Sequence, residues 1–430
     1  MTDNPLADRA AASRTAQRKL AAAGAGARTA ILEHLERLLR EREAELIAAN
    51  KLDLEAAEGT NIAQPILERL ALTPAKLETL REGIRFLIDD PDPIGRTLVR
   101  RKLDEGLVLE QVRAPLGVLL IIFESRPDAV IQIGSLALRT GNAVLMKGGS
   151  EALASNRALT DVLREAVAAA DVDPDVVQNI EGREAIAQLL ELDYHIDLVI
   201  PRGSAELVRS IQQKSRIPVL GHADGICHVF IDAAADPDMA TRVTIDAKTD
   251  YAAVCNAAET LLLHRDFAGG ADLVQALLDA GVEVRGDEAV QAMADGVIAA
   301  TAEDFGFEYG NFTIAARVVD GLESAIDHIH THGSAHTEAI ITEDAETAAR
   351  FLDTVDAASV MWNASTRFAD GFRYGLGAEV GIATGRIHAR GPVGAEGLLT
   401  TRWLLSGHGH VVADYGPDKK SFTHEELPLD

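Results

Sequence analysis

GVLLIIFESRPDAVIQIGSLALRTGNAVLMK runs from Gly117 to Lys147. GVLLIIF is an unbroken apolar run, the pattern of a strand covered on both faces. DAVIQIGSLALRT carries its apolar residues at helical spacing and stops at Gly141, a residue that adopts the left-handed conformation closing many helices. NAVLMK is a second strand. A strand, a helix and a strand in so short a stretch form a βαβ unit, whose crossover makes the two strands parallel neighbours.

The alternation continues downstream. ALASNRALTDVLREAVAAA and REAIAQLLEL read as helices, HIDLVI as a strand, AELVRSIQQK as a helix, and IPVL and CHVFID as strands. A second alternating block follows Cys255. Its strands are ETLLLH, GVEVRG, FTIAARVVD, TEAIIT and ASVMWN, and its helices are ADLVQALLDA, LESAIDHIHTHG and AETAARFLDTV. Upstream, Leu6 to Glu58 reads as helices, with Ile31, Leu32, Leu35, Leu38, Leu39 and Leu46 at helical spacing. RKLDEGLVLEQVRAP alternates apolar and polar residues about Asp104-Glu105-Gly106, as a β-hairpin does. From about Arg386 the chain is glycine-rich, with a strand-like TTRWLL. The fold class expected is therefore α/β, with one α/β domain over 1–100 and 114–235, a second over 236–385, and separate β segments at 101–113 and 386–430.

Hydrophobic residues make up 47% of the chain, enough for large cores. No apolar run reaches the roughly 20 residues of a membrane helix. MTDNPLADRA has an acidic residue and no apolar stretch, so it does not read as a secretory leader. Two cysteines without a CxxC pattern argue against a disulfide framework and against a cysteine zinc site, and fit a reducing cytoplasm. Asp and Glu outnumber Lys and Arg by 67 to 41, and a net charge of −26 argues against a nucleic-acid footprint. Lysine occurs only nine times. The carboxylate excess fits a salt-adapted surface or simply an acidic protein from a high-GC genome.

The GxGxxG dinucleotide fingerprint is absent: Gly24 and Gly26 lie in an Ala-rich helical region, and GLGAEVG has the wrong spacing. Two other turns offer an anion site. In LMKGGSEALASN, Lys147 ends a strand and Gly148-Gly149-Ser150 opens a helix; in VIPRGSAELV, Gly203-Ser204 stands between strand and helix. A lysine at a strand's carboxyl end, beside a helix N-terminus, suits a phosphate or a ribose. Cys227 lies inside the strand-like ICHVF and reads as a buried hydrophobe. Cys255, in TDYAAVCNAAETLLLH, lies at a junction and is a candidate nucleophile. HIHTH places His328 and His332 on one helical face, but no Cys or carboxylate completes a ligand set, so no metal is expected.

The chain resembles the gamma-glutamyl phosphate reductase family, or glutamate-5-semialdehyde dehydrogenases, of the aldehyde dehydrogenase superfamily. The resemblance rests on VRAPLGV, FESRPDA, LRTGNAVLMKGGSEA, GHADGICHVFID, AKTDYAAVCNAAETLLLH, NASTRFADGFRYGLGAEVGIATGRIHARGPVGAEGL and TTRW, spread from residue 112 to 403. It implies an aldehyde-dehydrogenase-like fold: a Rossmann-type NADP-binding domain over 1–100 and 114–235, a catalytic domain over 236–385, and a small β oligomerisation flap from 101–113 and 386–430. It also implies reduction of L-glutamyl 5-phosphate to L-glutamate 5-semialdehyde by NADPH in proline biosynthesis, in a cytoplasmic homo-oligomer without nucleic-acid or membrane partners.

Carried over residue by residue, the resemblance makes Cys255 the nucleophile that forms a thioester, with its own N–H as one oxyanion donor. Asn256 follows it within the motif, and Ser125 aligns with the superfamily's oxyanion Asn. Lys147 corresponds to the lysine on the adenosine ribose, and Ser150 leaves room for a 2′-phosphate. Gly203 and Ser204 correspond to the pyrophosphate turn, and Glu308 to the glutamate on the nicotinamide ribose. Arg126, Lys248, Arg367 and Arg390 are candidates for the substrate's charge, or equally for structural ion pairs. Hydrolytic relatives carry a water-activating Glu in E-L-G-G; here GHADG puts His222 at that position and Asp224 two residues on. Two rivals remain at this point, a hydrolytic aldehyde dehydrogenase and a catalytically silent nucleotide-binding protein.

Overall fold

The computed structural model describes residues 4–58 and 64–429; the first three residues, part of the stretch read above against a leader, lie outside the described residues. The chain forms two compact units, one of Met1–Leu220, Gly377–Val380 and Val393–Asp430, the other of Gly221–Leu376 and Gly381–Pro392.

The first unit is built on a four-stranded parallel sheet. Its order is Val177–Asn179, Ala143–Lys147, Val118–Phe123, Leu198–Arg202. Val118–Phe123 is an inner strand and all six of its side chains are buried, which is why it reads as a continuous apolar run. Each such side chain is worth roughly 1.5–3 kcal/mol when buried. The helix Asp128–Arg139 returns the chain to Ala143–Lys147. It closes as expected at Gly141, where φ is +69° and a Cβ would meet the Ile94 and Pro115 side chains at 2.9 Å. Helices Pro5–Ala22, Gly24–Glu41, Glu43–Glu58 and Pro74–Asp89 precede the sheet.

The hairpin is longer than its expected 101–113: Thr97–Asp104 pairs antiparallel with Leu107–Pro115. The tail completes this sheet. Leu399–Ser406 runs along the second strand and Glu425–Glu426 pairs with the first, giving a four-stranded antiparallel layer from segments distant in sequence.

The second unit holds a seven-stranded parallel sheet. Its order is Ile298–Ala299, Glu283–Gly286, Thr313–Val319, Ala258–His264, Cys227–Ile231, Thr337–Ile341, Ser359–Trp362. Alternate residues serve opposite cores. Val229, Ile231, Leu261, Leu263, Ala339 and Ile341 pack on one face with Ala240, Val243, Leu273 and Leu277. Phe230, Leu262 and Ile340 pack on the other with Ala325, Ile326, Ile329 and Phe351. Both faces are covered by helices, so the inner strands are mostly apolar, with His228, Thr260 and Glu338 as buried polar residues among them.

Four expectations need correcting. The first crossing between units falls at Leu220/Gly221 rather than near 235, because Cys227–Ile231 hydrogen-bonds to Ala258–His264 and Thr337–Ile341. Gly381–Pro392 likewise sits in the second unit, so only the later part of 386–430 joins the hairpin. IPVL makes only an isolated bridge, Val199 to Val219, and REAIAQLLEL is helical only over Ala185–Leu189. The helix Pro237–Thr249, absent from the sequence reading, is started by Asp236, which accepts from the Met239 N–H, with Pro237 at its first position.

HIHTH lies within the helix Leu322–His332. The His328 ring meets Phe305 at 5.4 Å, His228 at 5.5 Å and His332 at 4.5 Å, and its Nδ1 is 3.4 Å from the Arg317 guanidinium. His228 in turn bonds Glu338 at 2.8 Å, both fully buried. Burial first, then the charges of His228, His332 and Arg317, pushes His328 down from 6.5 to about 3. The folded state therefore binds fewer protons than the unfolded chain between those values, and stability falls as pH drops through that window, by up to about 1.4 kcal/mol per pH unit. Denaturant unfolding from pH 7 to 4.5 should show this slope, and His328→Leu should flatten it. An unchanged slope in the variant would mean that other groups drive the loss.

Candidate active site

Cys255 sits in the turn between the helix Pro237–Thr249 and the strand Ala258–His264, half-buried. The turn is held from several sides. Asn256 is buried; its amide donates to the Ala369 carbonyl at 2.8 Å, and its oxygen accepts from the Arg367 guanidinium. Arg367 also reaches Asp250 at 3.1 Å. The other cysteine has a part here too: the Cys227 thiol donates to the Cys255 carbonyl at 3.2 Å. Burial, then the Glu338 charge, pushes that thiol well above its usual range, so it stays protonated and can donate.

Gly225 packs directly on the Cys255 backbone. A Cβ at 225 would lie 2.6 Å from both Cα and Cβ of Cys255, closer than real carbons approach. The Gly225 N–H donates to the Glu308 carboxylate at 2.9 Å, so Glu308 bears on the same turn. Two imidazoles stand at the thiol. One ligand atom each of His222, Cys255 and His336 lie within 4.8 Å of one another. His336 is fully buried, and its ring meets that of His222 edge-on at 4.8 Å. His222 Nδ1 donates to the Ile382 carbonyl at 2.7 Å. The position expected to lack a carboxylate base thus holds an imidazole beside Cys255, and Asp224 stands half-buried two residues on.

Among the proposed cations, three are committed. Lys248 is buried and pairs with Glu259 at 2.8 Å. Burial lifts Glu259 to about 7 even against the Lys248 charge. Arg367 serves Asn256 and Asp250, as above, and Arg390 pairs with Asp356 at 2.7 Å. Arg126, half-buried, makes no ion pair among the described residues. Its neighbour Ser125 has φ +47°, a conformation rare outside glycine, and gives both its N–H and its hydroxyl to Glu151, at 2.6 and 2.8 Å. The Ser125 donors are therefore engaged by a carboxylate rather than open to an oxyanion.

In the first unit, Lys147 ends its strand buried, with its amine on the Gly148 carbonyl at 2.6 Å and pushed below its usual range by burial. Ser150 is exposed at the start of the turn leading to the helix Leu153–Ala169. Gly203 is exposed, and Ser204 caps the helix Ala205–Lys214 by accepting from the Leu207 N–H. The Ser204 N–H donates to the Glu124 carboxylate at 3.0 Å, so an anionic oxygen already rests on that helix start.

His336, Gly225, Glu124 and Glu151 escaped the sequence reading. Only Gly225 left a trace, as a glycine directly ahead of an apolar strand in GHADGICHVF; the others have no spacing that marks them.

A family model described as "Aldehyde dehydrogenase family" matches residues 2–294. A protein of Natronomonas pharaonis named gamma-glutamyl phosphate reductase is 51% identical over 424 residues, covering 97% of this chain and 96% of that one. The delta-1-pyrroline-5-carboxylate synthase of Mesembryanthemum crystallinum is 50% identical over 425 residues, covering 98% of this chain and 59% of that one. The crystal structure of gamma-glutamyl phosphate reductase from Thermotoga maritima superposes with a TM-score of 0.92 at 36% identity, covering 95% of this chain and all (100%) of that one. The chain belongs to the aldehyde dehydrogenase family, and within it to the gamma-glutamyl phosphate reductases.

The close approach at Gly225 yields a test. Gly225→Ala should displace the Cys255 turn, lower stability by about 1–3 kcal/mol, and change the rate at which Cys255 reacts with a thiol reagent. Wild-type reactivity and stability in the variant would show that the turn yields without cost.

Proposed function

We propose that this chain is an oxidoreductase that reduces L-glutamyl 5-phosphate to L-glutamate 5-semialdehyde and phosphate, with NADPH as hydride donor, in proline biosynthesis. The observation that carries the reading is the Cys255 thiol, held by Gly225, Asn256 and Cys227 with imidazoles of His222 and His336 at its side. The names of the close relatives supply the substrate.

In this reading an imidazole takes the thiol proton. The Cys255 sulfur attacks the acyl carbon, the carbon–oxygen bond to phosphate breaks, and phosphate leaves with that electron pair. The product is a thioester, which accepts hydride more readily than a carboxylate. The Cys255 N–H donates to the developing oxyanion; Ser125 can join only by leaving Glu151. Once the thioester carbon has gained a hydride, the tetrahedral adduct collapses to the aldehyde and the sulfur departs as thiolate. Arg126 is our candidate for the substrate's charge. Lys248, Arg367 and Arg390 are assigned instead to holding the fold, since each already faces a carboxylate.

Family members use nicotinamide cofactors. The residues fit one: the Ser204 turn already holds a carboxylate oxygen on its N–H, and Lys147 presents a buried amine at a strand end. Lys147, Ser150, Gly203 and Ser204 would hold the adenosine ribose and phosphates, and Glu308 the nicotinamide ribose. Bound there, the cofactor supplies the hydride. Ser150 is small and exposed, which favours the 2′-phosphorylated form. Lys147→Ala should raise the KM for NADPH far more than for NADH; equal effects would confine Lys147 to the ribose common to both.

No helix among the described residues is long and apolar enough to cross a membrane, and we assign the chain to the cytoplasm. A homo-oligomer is supported by the outer strand Leu399–Ser406, where Trp403 and Leu405 stand 54% and 60% exposed on a sheet edge.

Run in reverse, the enzyme should reduce NADP with the semialdehyde only when phosphate is present. Cys255→Ala should abolish turnover, while Cys227→Ala, which loses a hydrogen bond to the Cys255 carbonyl and a contact with His336, should retain much of it. Rapid phosphate-independent release of glutamate would overturn the reading and make His222 a water-activating base.

A further inference from the structure

We propose that His222, Cys255 and His336 form a binding site for a soft divalent cation of the zinc type, which caps the Cys255 sulfur. One ligand atom of each lies within 4.8 Å of the other two. Around a tetrahedral zinc, with bonds of about 2.0–2.3 Å, such atoms stand roughly 3.3–3.8 Å apart, so a closure of about an ångström completes the set. A cysteine with two histidines is a donor set of open zinc sites, which leave a fourth position for water or another ligand.

The surroundings have the character of a ligand shell. His222 Nδ1 lies 2.7 Å from the Ile382 carbonyl, which can only accept. The hydrogen is therefore on Nδ1, and in the neutral ring the lone pair is on Nε2. A backbone carbonyl on the outer nitrogen is the usual support of a metal-binding imidazole. His336 is fully buried; its Nδ1 lies 2.9 Å from the Thr337 hydroxyl and 3.6 Å from the Cys227 sulfur. Its Nε2 is buried with no hydrogen-bond partner among the described residues. Such an atom is costly unless something binds it at least part of the time. The Cys255 turn cannot retreat, since Gly225 lies against its back. Two neutral imidazoles and one thiolate leave a zinc ion with a single net positive charge.

Metal on the sulfur withdraws it from alkylation and oxidation. That it also stops turnover rests on the proposed function. The cation is then a reversible inhibitor and protector of the nucleophile.

The test is titration of the full-length protein with Co2+, then displacement by Zn2+. Wild type should show the near-ultraviolet thiolate-to-cobalt band and the visible bands of a tetrahedral ion, and Zn2+ should slow reaction of Cys255 with a disulfide reagent. Cys255→Ser should abolish the thiolate band and Cys227→Ala should keep it. His336→Ala and His222→Ala should each weaken binding by at least about tenfold. His222 is half-buried and serves if the His336 variant does not fold. No thiolate band, a band that follows Cys227, or undiminished affinity in folded histidine variants would overturn the site. Binding and thiol protection without loss of turnover would leave the site standing and overturn Cys255 as nucleophile.

Discussion

The backbone of Cys255 occupies the space a side chain at residue 225 would need. Most of the second unit's candidate chemistry depends on that approach. It brings the GHADG segment against the Cys255 turn, and two residues further on the chain enters the strand Cys227–Ile231, paired with the strand that follows the turn. The Cys227 thiol can then reach the Cys255 carbonyl, and Glu308 can hold the Gly225 N–H. Arg367 and the Ala369 carbonyl hold Asn256, the next residue of the turn. A cysteine fixed in this way would lose little freedom on meeting a ligand.

Electrostatics divides the labour between side chains and backbone. A chain with a net charge of −26 has carboxylates to spare, and its inward cations are drawn to them. Lys248, Arg367 and Arg390 are each taken by an acidic partner. The Lys248–Glu259 pair is fully buried, and removing one member of such a pair strands the other, so it holds structure better than it holds a ligand. Lys147 and Arg126 make no such ion pair among the described residues. Glu124 on the Ser204 N–H illustrates the field at a helix start: the protein's own carboxylate settles there.

The two cysteines show how one residue type takes opposite roles. Cys227, buried in a strand, is a neutral thiol that donates a hydrogen bond. Cys255, in a turn, faces two imidazoles. Reading Cys227 as a buried hydrophobe was right about its burial and silent about its support of the other sulfur.

Much of the fold was legible because burial writes itself into short stretches of chain. VLLIIF had to be a strand covered on both faces, and the helix after it had to end at Gly141, since nothing else closes it as cheaply. Cys255 stood out because it interrupts no apolar run. What tertiary structure alone decided concerns pairs of residues far apart in the chain. The strand Cys227–Ile231 could have closed the first sheet or opened the second, and only its hydrogen-bond partners place it in the second. Arg126, Lys248, Arg367 and Arg390 read alike until the fold gave the last three carboxylates. His336 carries no local mark at all. Its meeting with Cys255 and His222 arises because parallel strands bring distant segments to the same end of one sheet, a consequence of hydrogen-bond register that no local spacing encodes.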